Sequence, residues 1–288
     1  MASRKLINII AWLPVIYSFA IIIMPFASMI YYSLFDYDLG REPIFIGPGN
    51  FITLILKDSV FHKAFCLTLL YTAAALAIEF PLGLIIAFLL YRISYGRTLF
   101  TIIVILPLTI APAVAGIIWR LLFDVSYGHV NYYLSLIGIG RIPWLISPQW
   151  SIIACIITDI WQWTPFIILV ALAGLLALPK ELLESAYVDG ASAWVTFKDI
   201  LFPRIKPLIA IVLFLRLVDA LKAFDNIYTM TGGGPGTSTT TISIYNYLSL
   251  MTFYHVGYGC AISVIFLVFI IILINIIIRR VRHILWRE

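Results

Sequence analysis

The stretch Pro179-Lys180-Glu181-Leu182-Leu183-Glu184-Ser185-Ala186-Tyr187-Val188-Asp189-Gly190-Ala191, running on to Phe197, Ile200 and Pro203, is the longest charged interruption in the second half of the chain. Pro179 suits the first turn of a helix, where a missing N–H is harmless. Ser185, Ala186, Gly190 and Ala191 are small, so a helix face built from them lets another surface approach closely. Gly190 breaks the helix, Asp189 or Ser192 can cap a second one, and Pro203 is expected to stop it. The spacing predicts two short helices outside a bilayer that present a docking surface. An ordinary loop helix between two spans fits the same spacing.

Around this stretch the chain is apolar: 288 residues, 62% hydrophobic and only 11% charged, where soluble domains carry about 25% charge. The fold class is therefore an all-α integral membrane protein. Cys66, Cys155 and Cys260 lie far apart in or beside apolar segments and read as free, buried thiols rather than a disulfide framework or a metal site. The four histidines are scattered and form no HExxH pattern. No nucleophile–base pair stands out, so an enzyme is not indicated, and nothing points to nucleic acid.

A helical span needs about 20 apolar residues. On that measure six spans are expected, at about 6–35, 64–91, 99–122, 151–178, 206–228 and 258–278. Pro14 and Pro25 fall in the first, Pro107 and Pro112 in the third. The first span follows Arg4 and Lys5 but is too long for a cleaved signal and reads as a retained anchor. Two regions result: an anchor span with its outer loop over 1–63, and a five-span core over 64–288 that contains the polar loop 179–205.

Six spans put both termini on one side. That side holds Arg4, Lys5, Arg92, Arg97, Lys180, Lys198, Arg204, Lys206, Arg279, Arg280, Arg282 and Arg287; the other holds Arg41, Lys57, Lys63, Arg120, Arg141 and Lys222. The bias toward Lys and Arg places the termini and the polar stretch in the cytoplasm.

Inside the spans, Arg216, Asp219, Lys222 and Asp225 recur every three residues with alternating sign, as a neutral ladder on one face of the fifth span. A single charge at mid-helix costs about 2.5–3.5 kcal/mol, so this face should meet a watery cavity or another helix. The fourth span carries Asp159, Trp161, Gln162, Trp163 and Pro165 near its middle, with Asp159 and Gln162 on a shared face. Carboxylate, amide and indole together suit a polyhydroxylated solute, although both tryptophans also fit as packing residues. Glu79 is a further carboxylate in the second span, with no partner that the sequence identifies. Thr231-Gly232-Gly233-Gly234-Pro235-Gly236 lacks the Gly-Lys pair of a phosphate-binding loop and reads as a tight, mobile outer loop.

Glu184-Ser185-Ala186, Asp189-Gly190-Ala191, Phe197, Ile200 and Pro203 resemble the "EAA" loop of permease subunits in binding-protein-dependent ABC importers, whose pattern is E-A-A-x-x-D-G-A followed by F, I and P. Ser185 departs from the middle Ala, small for small. Pro107 through Trp119-Arg120, Trp161 with Pro165-Phe166, Phe224-Asp225-x-Ile227-Tyr228 and Thr231 to Pro235 are similar to the carbohydrate-uptake branch, in the subunit like the larger maltose permease. The likeness runs from about residue 65 to the end.

The resemblance implies that Glu184, Ser185, Ala186, Asp189, Gly190 and Ala191 dock in a cleft of an ATPase subunit as a cytoplasmic coupling loop between the fourth and fifth spans. It implies a heterodimer with a second, related permease, two ABC ATPase subunits that hold ATP and Mg while this chain binds no cofactor, and a bacterial or archaeal cytoplasmic membrane. An extracellular solute-binding protein would deliver cargo to outer loops including Gly232, Gly233, Gly234 and Pro235. The pathway, through the fourth to sixth spans, would involve Asp159, Trp161, Gln162, Trp163, Arg216, Asp219, Asp225 and Asn226. The expected activity is ATP-driven import of a sugar or oligosaccharide. The same machinery carrying glycerol phosphate, or another polyol, is the alternative within that family, and an ion-coupled secondary transporter using Asp159 and Glu79 is the alternative outside it.

Overall fold

The computed structural model describes residues 2–93, 95–179 and 181–285; the expectations placed on Lys180 and Arg287 lie outside the described residues. In chain order the elements are α1 (Ala2–Tyr32), a two-residue ribbon of β1 (Phe35–Asp36) and β2 (Ile44–Phe45), α2 (Gly49–Leu56), α3 (Ser59–Arg92) and α4 (Arg97–Ile105), which runs into a 3-10 turn at Leu106–Thr109. Then come α5 (Pro112–Leu122), α6 (His129–Leu136), α7 (Pro148–Leu176), α8 (Glu181–Val188) and α9 (Ala193–Val195), the last continued by π-type turns over Thr196–Leu201. The chain proceeds through α10 (Phe202–Leu221), α11 (Asp225–Thr231), α12 (Ile242–Tyr247) and α13 (Val256–Leu285).

Among the described residues, three helices are long and apolar enough to cross a membrane: Ser59–Arg92, Pro148–Leu176 and Val256–Arg279. A helix of 34 residues such as α3 is about 51 Å long, more than the ~30 Å hydrocarbon core requires.

The third expected span is not one helix. α4 with its 3-10 turn and α5 meet at 96°. The prolines explain the break. Pro107 contributes no N–H, Ile110 is extended at ψ 130°, and Ala111, preceding a proline, is held extended at ψ 137°. Pro112 then restarts a helix from its first turn.

The fifth expected span is also divided. α10 ends at Leu221 and α11 begins at Asp225, with Phe224 at φ −139° between them. Lys222 occupies the C-cap of α10 and Asp225 the first turn of α11. Each charge complements the helix terminus it sits on, so the sequence signal taken for a ladder is in part a pair of terminal charges. Pro203, expected to end a helix, lies instead in the first turn of α10, a position that tolerates its missing donor.

The chain forms two compact units. The first comprises residues 1–62 and 245–272. In it β1 and β2 pair antiparallel, Phe35 opposite Phe45. The Asn50 amide donates to the carbonyls of Ser33 (3.0 Å) and Phe35 (2.8 Å), tying α2 to the end of α1. Asp58 caps α3 by accepting from the backbone N–H groups of Val60 and Phe61, and its other oxygen accepts from the hydroxyls of Tyr245 and Tyr258, both at 2.5 Å.

The second unit comprises residues 63–244 and 273–288. Its core is the junction of α3, α7 and α10, where Ile167, Ala171 and Leu175 pack with Phe80, Ala87, Ile205 and Ile209. Glycines set the closeness of approach. A Cβ on Gly83 would lie 2.7 Å from Ile167 Cγ2, and one on Gly174 would lie 2.6 Å from Leu208 Cδ2. Small residues at such crossings let membrane helices gain dispersion contacts that burial from water does not supply. Arg97 closes the C-terminus of α3, donating to the carbonyls of Leu90, Tyr91 and Ile93. Of the three cysteines, Cys155 is buried and Cys260 half-buried, while Cys66 is exposed, because its apolar flank of α3 faces away from the packed interior.

Candidate functional site

The site is organised by one fully buried arginine. α10 places Arg216 against Glu79 of α3 and Asp159 of α7; the three are 2%, 0% and 1% exposed. Such burial is tolerated only when every charge is paired. The guanidinium donates from Nε to Glu79 Oε2 and from Nη2 to Glu79 Oε1, both at 2.9 Å, a bidentate fork. Nη2 also donates to Asp159 Oδ2, and Nη1 reaches Asp219 Oδ2 at 3.5 Å. The Trp163 ring covers the guanidinium at 5.0 Å, a stacking suited to a planar, weakly hydrated cation. Glu79, left without a partner by the sequence, is thus the principal anchor of Arg216. Of the expected ladder, only the step from Arg216 to Asp219 is an ion pair among the described residues.

Asn226, at the start of α11, donates from Nδ2 to Asp159 Oδ1 at 3.4 Å while its side-chain oxygen Oδ1 accepts from the Ile227 N–H. α5 positions it. A Cβ on Gly116 would lie 2.0 Å from Thr229 Oγ1 and 2.7 Å from the Asn226 carbonyl oxygen, so only glycine permits this approach of α5 to α11.

These residues border a cavity of about 90 Å³ lined by Pro112, Asp159, Trp163, Arg216, Asp219, Lys222, Ala223, Phe224, Asp225 and Asn226. Ligand pockets measure about 300–1,000 Å³, so this cavity alone is too small to enclose a ligand of that class. Around Arg216 and Lys222 stand four carboxylates, Glu79, Asp159, Asp219 and Asp225. Two rings, Trp163 and Phe224, complete the wall; Phe224 stacks on Tyr228 at 5.1 Å.

Six of the pathway residues named from sequence therefore converge here: Asp159, Trp163, Arg216, Asp219, Asp225 and Asn226. Two sit elsewhere. Gln162 is buried and donates to the Ile110 carbonyl at 2.9 Å, fastening the break between α4 and α5. Trp161 packs edge-on against Trp119 at 5.6 Å. Lys222, Ala223 and Pro112 line the cavity without having been singled out for it. Their signal was the proline and charge pattern that marks the two helix breaks.

The glycine loop is fastened rather than loose. Gly232 ends α11 at φ +62°, and Gly233 follows at φ +96°. The Thr240 hydroxyl donates to the Gly233 carbonyl (2.8 Å), the Thr239 hydroxyl to that of Gly234 (3.0 Å), and the Thr231 and Thr239 hydroxyls are 2.7 Å apart. Ser238 meets Ser151 at the start of α7 with hydroxyls 3.0 Å apart, and the Ile242 N–H donates to Thr68 of α3. The run of threonines after the glycines carried this information. Gly232 is exposed, Gly233 buried, and Gly234 and Pro235 half-buried.

At the polar stretch, α8 exposes Glu184 and Ser185 and buries Ala186; Asp189 and Gly190 are exposed and Ala191 is half-buried. Gly190 is at φ +70° and reverses the chain, helped by the Ala191 N–H donating to the Ala186 carbonyl at 2.9 Å. Ser192 caps α9 by accepting from the Val195 N–H. Val188 and Trp194 protrude, 88% and 66% exposed, an apolar pair at the tip that the small-residue pattern did not reveal. Phe197 anchors the tip to α3, 4.8 Å from the Phe88 ring.

Residues 79–287 match the family described as binding-protein-dependent transport system inner membrane component. The trehalose/maltose transport system permease protein MalF of Thermococcus litoralis is 36% identical over 255 residues, covering 88% of this chain and 84% of that one. The trehalose transport system permease protein SugA of Mycobacterium tuberculosis is 35% identical over 267 residues, covering 92% and 85%. A bacterial alginate ABC transporter, solved in complex with alginate pentasaccharide-bound periplasmic protein, contains a chain that matches with TM-score 0.86 at 27% identity, over 98% of this chain and 96% of that one.

Proposed function

Because the chain belongs to the binding-protein-dependent transport system inner membrane components, the multi-pass, non-catalytic permease subunits of ABC importers, we propose that it passes a sugar or oligosaccharide received from an extracellular solute-binding protein. The observation that carries this reading is the cavity wall at Asp159, Asn226, Asp219 and Asp225, with Trp163 and Phe224 beside it. Carboxylates and an amide pair with hydroxyls, while rings cover the C–H faces of a sugar. A small cavity with one polar wall calls for a second wall, and a homologous permease supplies it as a heterodimer. Relatives named for trehalose and maltose carry solutes of this kind. A glycerol phosphate cargo is disfavoured, since two cations already face four carboxylates and no positive charge is left over.

In this reading ATP and Mg bind to two partner ATPase subunits, whose closure reaches the spans through Glu184, Ser185, Ala186, Asp189, Gly190 and Ala191. The six crossings are α1, α3, the broken pair α4 and α5, α7, α10 and α13. The first belongs to residues 1–63, and the other five with the loop 179–205 form the core over 64–288. The buried Arg216, which sets α10 apart from the three plainly apolar helices, is accommodated by the α3 and α7 carboxylates. Gly232 to Pro235 lie on the face that meets the binding protein.

The test is co-purification in mild detergent followed by uptake in proteoliposomes. An ATPase and a second permease should co-purify, and uptake of a neutral oligosaccharide should need ATP and the binding protein. Uptake that persists without ATPase subunits and follows an ion gradient would overturn the proposal.

A further inference from the structure

The connection between α5 and α7 holds two recesses that the transport reading does not use. One is polar, about 340 Å³, and its lining includes Ser126, Tyr127, His129, Tyr132, Ser135 and Arg141. The other is apolar, about 370 Å³, lined by Ile118, Leu121 and Leu122 of α5 with the same Tyr127 and His129. Tyr127 and His129 line both, so a polar recess and a greasy one lie side by side.

The polar chamber is built in advance. Asn131 is 2% exposed. Its Oδ1 accepts from the Ile142 N–H (3.0 Å) and from Trp144 Nε1 (3.2 Å), and its Nδ2 donates to the carbonyls of Ile142 (3.0 Å) and Asp124 (3.4 Å). Asp124 turns the chain by accepting from the Ser126 and Tyr127 N–H groups. Those two bonds hold its carboxyl below the usual carboxylate range. Among the described residues no carboxylate lines either recess, whereas His129 lines both and Arg141 the polar one.

Aromatic side chains flank the connection. Trp144 and Trp150, 5.2 Å apart and edge-to-face, stand at the start of α7, with Phe123 4.9 Å from Trp144. Tryptophans with one wet edge suit the level of lipid headgroups; Trp150 is half-buried, Trp144 is buried, and Leu121 of the apolar recess is exposed.

We propose that the paired recesses hold one membrane phospholipid, with its phosphate in the Arg141 chamber and an acyl chain along Ile118, Leu121 and Leu122. A cargo sugar satisfies the first chamber but leaves the second wet; an acyl chain alone leaves the cation and hydroxyls unanswered. The phosphate and the chain together match both.

The test uses the assembled importer, delipidated in alkyl maltoside, with bound lipid counted by native mass spectrometry. Added phosphatidylglycerol should bind at one site per copy and raise the melting temperature, while inorganic phosphate and diacylglycerol, supplied separately, should not. Arg141→Ala and Leu121→Asn, one in each recess and both at exposed positions, should each weaken retention about tenfold, corresponding to ~1.4 kcal/mol. Equal retention by both variants and the parent overturns the proposal. So does a photo-crosslinker at Tyr132 that captures the solute-binding protein rather than lipid. Loss of uptake with unchanged lipid retention would assign this connection to transport and overturn the lipid site.

Discussion

Arg216 donates two parallel hydrogen bonds to Glu79, 137 residues earlier in the chain, and both side chains are shut away from solvent. This pair joins α3 to α10, and Asp159 adds α7 to the same charge. The cavity wall is therefore held by electrostatics from behind. Each group is satisfied by the others, and none can be removed alone.

Glu79→Ala should cost about 3–5 kcal/mol, the usual penalty for stranding a buried charge. Arg216 would keep only Asp159, the half-exposed Asp219 and the Trp163 ring. Glu79→Gln should cost less, since its amide oxygen still accepts. Thermal unfolding of the purified assembly measures both. A melting temperature unchanged in the Ala variant would show that the pair contributes nothing to holding the helices together.

Gly116→Ala acts on the same wall from its front. The added Cβ would meet Thr229 Oγ1 at 2.0 Å, and also the Asn226 backbone, its carbonyl oxygen at 2.7 Å and its Cα at 3.0 Å. A hydroxyl can rotate away; the backbone contacts cannot relax without moving α11. Overpacking of this kind costs about 1–3 kcal/mol, and it shifts Asn226 from Asp159, so uptake should fall. Gly140→Ala, where nothing lies within 4 Å and φ is not positive, is the matched control and should change stability by less than about 0.5 kcal/mol. Equal uptake in both variants would remove α11 from the path.

How much of this was legible in the sequence varies by element. The long apolar helices and the polar stretch were readable because composition alone decides them. The charges of α10 were visible too, but their pairing was not. A three-residue period suggested neighbours on one helix, whereas the chain breaks after Leu221 and Arg216 turns to carboxylates on two other helices. Local spacing carries no information about Glu79, which lies far away in sequence. Gln162 was incompletely legible for a related reason. Its amide was read as facing cargo, while its N–H donates to the Ile110 carbonyl freed by the break before Pro112, a role that spacing does not show. The Gly232–Pro235 loop looked loose because glycines were weighed without the threonines that fasten it.

Gly190→Asp should separate folding from coupling. At φ +70° a side chain is strained by about 1–2 kcal/mol, with aspartate among the residues that tolerate the position best. No atom lies within 4 Å of the new Cβ, so the chain should fold and assemble into the membrane. The added bulk and charge fall at the tip beside Val188 and Trp194, where a partner would press. ATP hydrolysis should then no longer drive uptake. Wild-type uptake together with wild-type ATPase assembly would refute the docking role.

Asp58 supplies a pH dependence with a definite sign. Burial alone raises its carboxyl, but bonds from the Tyr245 and Tyr258 hydroxyls and from the Phe61 and Val60 N–H groups outweigh that and leave it below its ordinary 3.8. A depressed folded-state value means that the ionised form is the one the fold stabilises. Its contribution is fully present above the unfolded-state value and is lost as pH falls through the folded-state value. Melting temperature should therefore be flat from about pH 7 to about pH 5 as far as this group is concerned, and should drop below about pH 4. Asp58→Asn keeps an N-cap acceptor for α3 but offers the two tyrosines no charge, so the variant should start lower and lose less on acidification. The two curves should converge as pH falls. A gap between wild type and Asp58→Asn that stays constant down to about pH 3 would mean that the tyrosine pair does not depend on the carboxylate's charge.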